Sequence, residues 1–357
     1  MSFGPRLFFS STAKIMSSVS KKFKSNPPKI GTHDGTFHCD EILACFLLKS
    51  LPDFKDAEIV RSRKDEVLNE CDIVVDVGGI YDPKSSRFDH HQQSFQETFS
   101  SLRPEFGDKF DVRLSSAGLI YVHYGEEAIQ EIYKQHFNEK LSERNLKVIY
   151  RKLYESLIRE IDGIDNGVPM FEGEPKYTIS SHLSNRVKRF LPSWEVKNVD
   201  YTAQFHKALD YVGEELVEKL VNYKSWLNAR NHVVEAVENA STVHESGEIL
   251  ELKTFCPWKD HLQDVEKEFG IENIPKYVLF QDTDSFRVIC VPNSPTSFVC
   301  RKFLHINWRG LRDEELQKCS GVEDAVFVHA SGFIGGAKSR EGALKMAIES
   351  LCGDYCN

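Results

Sequence analysis

The chain contains no run of eighteen or more apolar residues, which argues against a membrane-spanning helix, and no membrane partner is expected. It also lacks any Cys-x-x-Cys pair. Nine cysteines, an odd number, are scattered along 357 residues, and Cys352 with Cys356 is too isolated a pair to make a metal site. This pattern excludes a disulfide framework and points to reduced thiols in an intracellular compartment. No Ser-His-Asp or Cys-His arrangement supplies a covalent nucleophile. Acidic residues are absent from residues 1–29, which hold Arg6, five lysines and seven serines. Basic, serine-rich and acid-free is the composition of a mitochondrial presequence. Met16, followed by Lys21, Lys22 and Lys24, would begin a shorter product with a nuclear-type basic cluster, so mitochondrion and nucleus are both expected locations.

Positive charge is in deficit over the rest of the chain. The formal net charge is −9, and without the six cations of residues 1–29 the remainder carries −15. Proteins that wrap duplexes regardless of sequence are basic. Any nucleic-acid contact is therefore expected in a local basic groove.

Imidazole and carboxylate, by contrast, are concentrated. The four histidines that precede residue 100 fall in two short clusters: Thr32-His33-Asp34-Gly35-Thr36-Phe37-His38-Cys39-Asp40-Glu41, and Arg87-Phe88-Asp89-His90-His91-Gln92. Between them lies Asp72-Ile73-Val74-Val75-Asp76-Val77-Gly78-Gly79. Such groups bind borderline or hard divalent cations, and three clusters within sixty residues offer more donors than one ion can use. The reading is a two-ion site for Mn²⁺ or Mg²⁺. His33, His38 and Asp40 can converge because Gly35 lets the loop turn tightly. Asp76, ahead of Gly78-Gly79, has an open approach and could bridge two ions. Asp89-His90-His91 offers one imidazole as ligand and another to face substrate, with Asp89 orienting a ring. A fourth group, Glu160-Ile161-Asp162-Gly163-Ile164-Asp165-Asn166, adds a further candidate carboxylate, Asp162 or Asp165.

Length allows two domains. In the first half, Lys29–Thr32, Ala57–Val60 and Ile73–Val77 have the character of buried parallel strands. Helical spacing follows over Asp40–Leu51, from Ser115 onward and over about Leu146–Ile161. This alternation predicts an α/β domain with a largely parallel sheet, whose ligands bind beyond the carboxyl ends of the strands, where these clusters lie. A helical stretch spans 202–245. Strands are then expected at Ile249–Leu252, Tyr277–Phe280, Arg287–Val291 and Ala325–Val328. The expected division is a targeting segment at 1–28, a metal-binding domain at 29–190, a helical connector at 191–245 and a substrate-binding α/β domain at 246–357.

The order His…His-x-Asp, strand-end Asp, Asp-His-His and later Asp resembles the DHH phosphoesterase superfamily. Gly31–Glu41, Arg87–Gln92, Trp308-Arg309-Gly310-Leu311-Arg312-Asp313 and Val328–Gly336 are more specific, and together they resemble the melanocyte proliferating gene protein family over about residues 28–350. The resemblance implies a DHH-type parallel-sheet domain with helices on both faces, a second smaller α/β domain, and an active site in the cleft between them. It further implies 3′–5′ exonuclease action on single-stranded RNA with two Mn²⁺ or Mg²⁺ ions, in mitochondria and nucleus. Carried over by motif, His33, His38, Asp40, Asp76 and His90 would be metal ligands, His91 would meet the scissile phosphate or the attacking water, and Asp162 or, preferably, Asp165 would complete the second ion's shell. Superfamily members usually show His-x-x-x-Asp-x-Asp, so His38 stands here where a carboxylate is usual.

In the C-terminal part, Gly332, Gly335 and Gly336 precede a helix expected near Ser339, a geometry whose free N–H groups suit phosphate. Substrate contact is expected from His329, Gly335, Gly336, Lys338 and Arg340, with Arg309 and Arg312 clamping backbone phosphates. The leading function is metal-assisted phosphodiester hydrolysis. The competing readings are a small-molecule phosphoesterase, acting on pyrophosphate or dinucleotides, and a non-catalytic regulator with a metal-stabilised fold.

Overall fold

The computed structural model describes residues 27–353, so the proposed targeting segment lies almost wholly outside the described residues. The chain forms two compact units. Lys140 and the residues before it join Tyr150–Gly213 in the first, and Leu141–Ile149 join Glu214 and the residues after it in the second.

In the first unit, strand β1 (Lys29–Thr32) leads through a loop into helix α1 (Cys39–Lys49). Strand β2 (Glu58–Arg61), helix α2 (Asp65–Leu68), strand β3 (Ile73–Val75), and the short strands β4 (Tyr81–Asp82) and β5 (Arg87–Phe88) follow. The sheet order is β2-β1-β3-β5-β4. All neighbours are parallel except the edge pair β4–β5. Helix α2 packs on one face, where Leu68 and Cys71 meet Val74. It can approach because residue 31 is glycine; a Cβ there would stand 3.0 Å from Cys71 Sγ. Alternation turns Ile73 and Val75 to the opposite face. Helix α1 carries Asp40 and Glu41 in its first turn and Lys49 in its last, matching the helix dipole.

Helix α3 (Phe99–Leu102) is one turn. Helix α4 (Ser116–Phe137) starts at the N-cap Ser115, ends at Asn138 in the left-handed region, and packs along α1. Helix α5 (Glu143–Leu153) passes through a π-helical turn at Tyr154–Ile158 into α6 (Arg159–Asp165), and α7 (Leu183–Val187) follows. Helix α8 (Tyr201–Glu238) runs without interruption for 38 residues, and the break between units falls inside it, at Gly213, within the stretch expected as a helical connector.

The second unit continues with α9 (Ala240–Val243), β6 (Ile249–Leu252), α10 (Lys259–Phe269), β7 (Tyr277–Asp282), β8 (Ser285–Cys290), α11 (Asp313–Ser320), β9 (Ala325–Val328), β10 (Ile334–Ala337) and α12 (Arg340–Cys352). Its sheet runs β6-β7-β8-β10-β9, parallel only at β6–β7. Alternate residues supply two cores: Ile249, Tyr277, Leu279 and Val288 gather with Met346 of α12, while Leu250, Leu252, Val278 and Phe280 gather with Val233 of α8 and Leu262 of α10. The glycine run expected to present N–H groups to phosphate forms, at Ile334–Ala337, strand β10, between β8 and β9. A Cβ at Gly335 would press Leu304 and Met346, and one at Gly336 would press Arg287 and Phe327. Glycine is needed here for close packing, not for a loop.

Candidate metal centre

Three strand ends of the first unit deliver the site. His33 follows β1, Asp76 follows β3 and Asp89-His90-His91 follows β5, so all sit at the carboxyl edge of the parallel strands. Asp76 has φ +58°, a left-handed conformation that Asp tolerates better than most residues; it ends β3 and turns the carboxylate inward. His38, Asp40 and Glu41 come from the start of α1, and Asp165 from the last residue of α6.

Donor atoms group into three overlapping sets, each with atoms within 4.8 Å of one another: His33, His38, Glu41 and Asp76; Asp76, His90 and His91; His38, Asp40 and Asp165. Asp76 and His38 each belong to two sets. His33 Nε2 is 3.0 Å from Glu41 Oε1 and 3.3 Å from Asp76 Oδ2. His90 Nε2 is 3.3 Å from Asp76 Oδ1, 3.2 Å from Asp165 Oδ2 and 3.9 Å from Asp40 Oδ2. None of these approaches to His90 has hydrogen-bond geometry, so the nitrogen is buried without a hydrogen-bond partner, and so are both oxygens of Asp40. Distance without alignment is what ligands converging on a common cation show. Buried polar groups left unpaired otherwise cost on the order of 1–3 kcal/mol each. Without a cation, burial together with the charges of Asp76, Asp165 and Glu41 pushes the Asp40 carboxyl well above its ordinary range. Burial opposes protonation of His33 and His90, but their carboxylate partners override it and raise each to about 10. Burial likewise opposes ionisation of Asp76, and the two imidazoles outweigh it, holding that carboxyl below the usual range. A divalent cation would replace those protons.

The outer contacts orient the rings. Asn166 donates Nδ2–H to the carbonyls of Arg113 and Asp162, each at 2.9 Å, which turns Oδ1 toward His90 Nδ1 at 3.3 Å. Nδ1 of His90 is thereby the donor, and Nε2 keeps its lone pair for the cluster. Asp89 takes the Gly79 N–H at 2.6 Å and stands 2.7 Å from His91 Nδ1, holding the exposed His91 ring. That bond raises the His91 pKa. Ser116 Oγ donates to Asp76 Oδ1 at 3.2 Å.

Asp165 and Asp162 take different places. Asp165 joins the cluster. Asp162 is fully buried and its Oδ1 accepts from Ser115 N and Ser115 Oγ at 2.9 and 2.7 Å, at the start of α4. Its partners are those of a residue that fixes α4 to α6, and it belongs to none of the three donor sets. Glu41 was missed by motif reading. Its signal was positional: at the third residue of α1 its carboxylate takes the His38 N–H at 2.9 and 3.0 Å, which turns it to the same loop that carries His33.

Two cavities open onto the cluster. One is lined by His33, His38, Asp76, Gly78, Gly79 and His91 together with Arg63 and Gln92, and the other by His38, Asp40, Asp165, Ser184 and Lys188. Arg63 and Lys188 carried no sequence signal, because each stands outside the His/Asp motifs, and Gln92 closes the second motif without having been singled out.

The remaining substrate candidates lie in the second unit. Gly336 sits beside Phe327, over whose ring the guanidinium groups of Arg287 and Arg312 lie at 5.2 and 5.6 Å. Arg309 covers Phe303 and fills the space that a side chain at Gly332 would take. His329 is exposed, bonded to Ser331 Oγ at 2.8 Å, and Lys338 is exposed. At the start of α12, where phosphate was expected, the Asp324 carboxylate stands close by: a Cβ on Gly342 would lie 2.7 Å from its Cγ. Ser339 caps the helix, and the Asp324 carboxylate accepts the Ser339 N–H at 2.6 Å. Arg340 is committed to Glu251 at 2.5–3.0 Å.

Among known proteins, the chain matches the family model described as MYG1_exonuc, Uncharacterised protein family (UPF0160), over residues 29–351. MYG1 exonuclease of Homo sapiens is 48% identical over 329 residues, covering 91% of this chain and 86% of the human protein. The MYG1 protein of Dictyostelium discoideum is 47% identical, covering 90% and 96%. Among solved structures, RecJ in complex with Mn²⁺ from Thermus thermophilus is matched over 92% of this chain and 53% of its own, at 12% identity and a TM-score of 0.23, too distant to bear on the argument. A family match over residues 29–351, joined by relatives near half-identical over almost their whole length, places this chain in the MYG1 exonuclease family.

Proposed function

We propose that this protein is a metal-dependent phosphodiester hydrolase, acting as a 3′–5′ exonuclease on single-stranded RNA in mitochondria and nucleus. The observation that carries the metal-dependent chemistry is that both Asp40 oxygens and His90 Nε2 are buried without hydrogen-bond partners beside Asp165, and that Asp76 links them to a second donor set. The names of the mammalian relatives support exonuclease action; RNA, polarity and location rest on the family resemblance.

The donor set fits two Mn²⁺ or Mg²⁺ ions: nitrogen and carboxylate oxygen, no thiolate. Asp40, His90 and Asp165 would hold one and His33, His38 and Glu41 the other, with Asp76 shared. Bound ions supply an activated water and charge stabilisation on the phosphoryl oxygens. The chain's own groups do the rest. His91 presents an exposed imidazole at the cavity mouth, with Asp89 fixing its Nδ1 and leaving Nε2 toward substrate. Among the described residues Arg63 is the one Lys or Arg lining that cavity and is placed for a phosphate oxygen. Asn166 keeps His90 in the ligating tautomer.

The test uses purified protein with Mn²⁺ on 5′- and 3′-labelled RNA, DNA, pyrophosphate and dinucleotides, beside Asp76→Asn. Asparagine tolerates the left-handed backbone at residue 76, so the variant changes charge and little else. A ladder shortening from the 3′ end of RNA, absent in Asp76→Asn, is expected. Turnover of pyrophosphate alone would overturn the reading.

A further inference from the structure

The stretch that follows Asp165, residues 167–200, contains only α7 and a single 3₁₀ turn at Lys188–Phe190. Side chains that a core would bury stand in solvent there: Trp194 is 92% exposed and Tyr177 78%. Within residues 176–197 lie Lys176, Arg186, Lys188, Arg189 and Lys197 against one acid, Glu195, in a chain whose formal charge is −9. The same stretch reaches the cluster, because Lys188 lines a cavity with His38, Asp40 and Asp165. Trp194 projects from the turn Ser193–Val196, closed by a Val196 N–H to Ser193 carbonyl bond of 3.0 Å. Six residues of chain limit its Cα to roughly 20 Å from that of Lys188.

We propose that residues 176–197 form a strap that takes single-stranded nucleic acid, with Trp194 and Tyr177 stacking bases while Lys188 and Arg189 hold phosphates at the cavity beside Asp165. The inference rests on the phosphodiesterase reading and adds to it the element that holds the polymer. Exposed aromatic rings stack only on bases that are not paired in a duplex, and interleaved cations neutralise the backbone. A second copy of the chain is the poorer occupant, because a two-fold interface would bring two faces of net charge +4 together. A polyanion gains from the same charge.

The experiment is fluorescence anisotropy of labelled twelve-nucleotide single-stranded RNA and DNA with the full-length protein. Ca²⁺ replaces Mn²⁺, and the strand is checked intact on a gel. Trp194→Ala is expected to weaken binding about tenfold and Trp194→Phe to restore most of it, since stacking needs a ring. Lys188→Ala and Arg189→Ala are each expected to lower the slope of log affinity against log salt by about 0.7, which a folding defect does not do. The stronger-binding arm identifies the strand as RNA or DNA. Equal affinities and slopes in wild type and all variants overturn the strap, as does a wild type that binds neither strand. A dimer that dissociates in Trp194→Ala, with oligonucleotide affinity unchanged, gives the face to a second copy and also overturns it. Strand binding that depends on Trp194 in a protein that cleaves no nucleic acid upholds the strap and sinks the nuclease reading.

Discussion

Asp165 turns its Oδ2 to within 3.2 Å of His90 Nε2, whereas Asp162, one helical turn earlier, faces Ser115. Asp165→Asn is therefore expected to lose bound metal and activity, and Asp162→Asn to keep both, because an amide oxygen can still accept from Ser115. Elemental analysis of the two purified variants decides between them; metal loss in Asp162→Asn would make it a ligand. A pH difference accompanies this. Burial, against the Ser115 bonds, raises the Asp162 carboxyl from 3.8 to about 7. A raised carboxyl pKa means the folded state holds its proton more tightly than the unfolded chain. That contribution is full below about pH 4 and lost as pH rises through 7. Relative to wild type, Asp162→Asn should gain stability between pH 5 and pH 8, seen as a rising difference in urea midpoint. A flat difference would show that Asp162 ionises freely. The histidines separate in the same way. His90→Ala should lower metal content; His91→Ala, whose ring is exposed and held by Asp89, should slow turnover with metal retained. Equal metal loss in both would refute the division. The ligand types were legible as a His/Asp pattern. The choice between two carboxylates one turn apart was not, because it depends on which face of α6 meets α4.

At the scale of elements, the pairing of α4 with α6 is the joint that aims Asp165. Residue 118, on the first turn of α4, is glycine, and a Cβ there would stand 2.6 Å from Asp162 Oδ2 and 2.8 Å from its Cγ. Gly118→Ala improves helix propensity, yet it must push α6 away. The expected result is destabilisation of about 1–3 kcal/mol together with weaker Mn²⁺ binding, measured by urea unfolding and calorimetry on the same sample. Unchanged metal affinity would show that α6 relaxes without moving Asp165. The strands at 29–32, 249–252 and 325–328 were readable from β-branched and apolar runs. The two-residue strands β4 and β5 were not, since so short a run has no periodicity, although β5 delivers His90 and His91. β10 was not legible as a strand because Gly335 and Gly336 carry no β-branched or apolar signal; their need for glycine comes from Met346, Leu304 and Arg287, which are distant in sequence. At the start of α12 the capping serine was legible but its neighbour was not: the Asp324 carboxylate, fifteen residues before Ser339, accepts the Ser339 N–H.

Across the whole molecule, charge is sorted along the chain. Six cations and no acid occupy residues 1–29, net −15 spreads over the rest, and within that rest the stretch 176–197 is net positive. For an enzyme that handles polyanions, an acidic body suppresses indiscriminate binding and leaves attraction to the few places where cations are gathered. Residues 1–28 contribute no candidate ligand to the His/Asp clusters. We propose that this segment is the mitochondrial address. A tagged protein lacking residues 1–15, beginning at Met16, is expected to leave the mitochondrial fraction and to keep Lys21, Lys22 and Lys24 as the basis for nuclear accumulation. Its Mn²⁺-dependent activity in vitro should match that of the full chain within error, because no residue of the cluster is touched. Fractionation and microscopy of the two forms check the first part, and a side-by-side turnover assay checks the second. Mitochondrial import of the shorter form at the level of the longer one would remove the address from residues 1–15. Replacing Arg6 and Lys14 by Gln separates charge from length: if import falls as far as it does on deletion, the cations carry the signal.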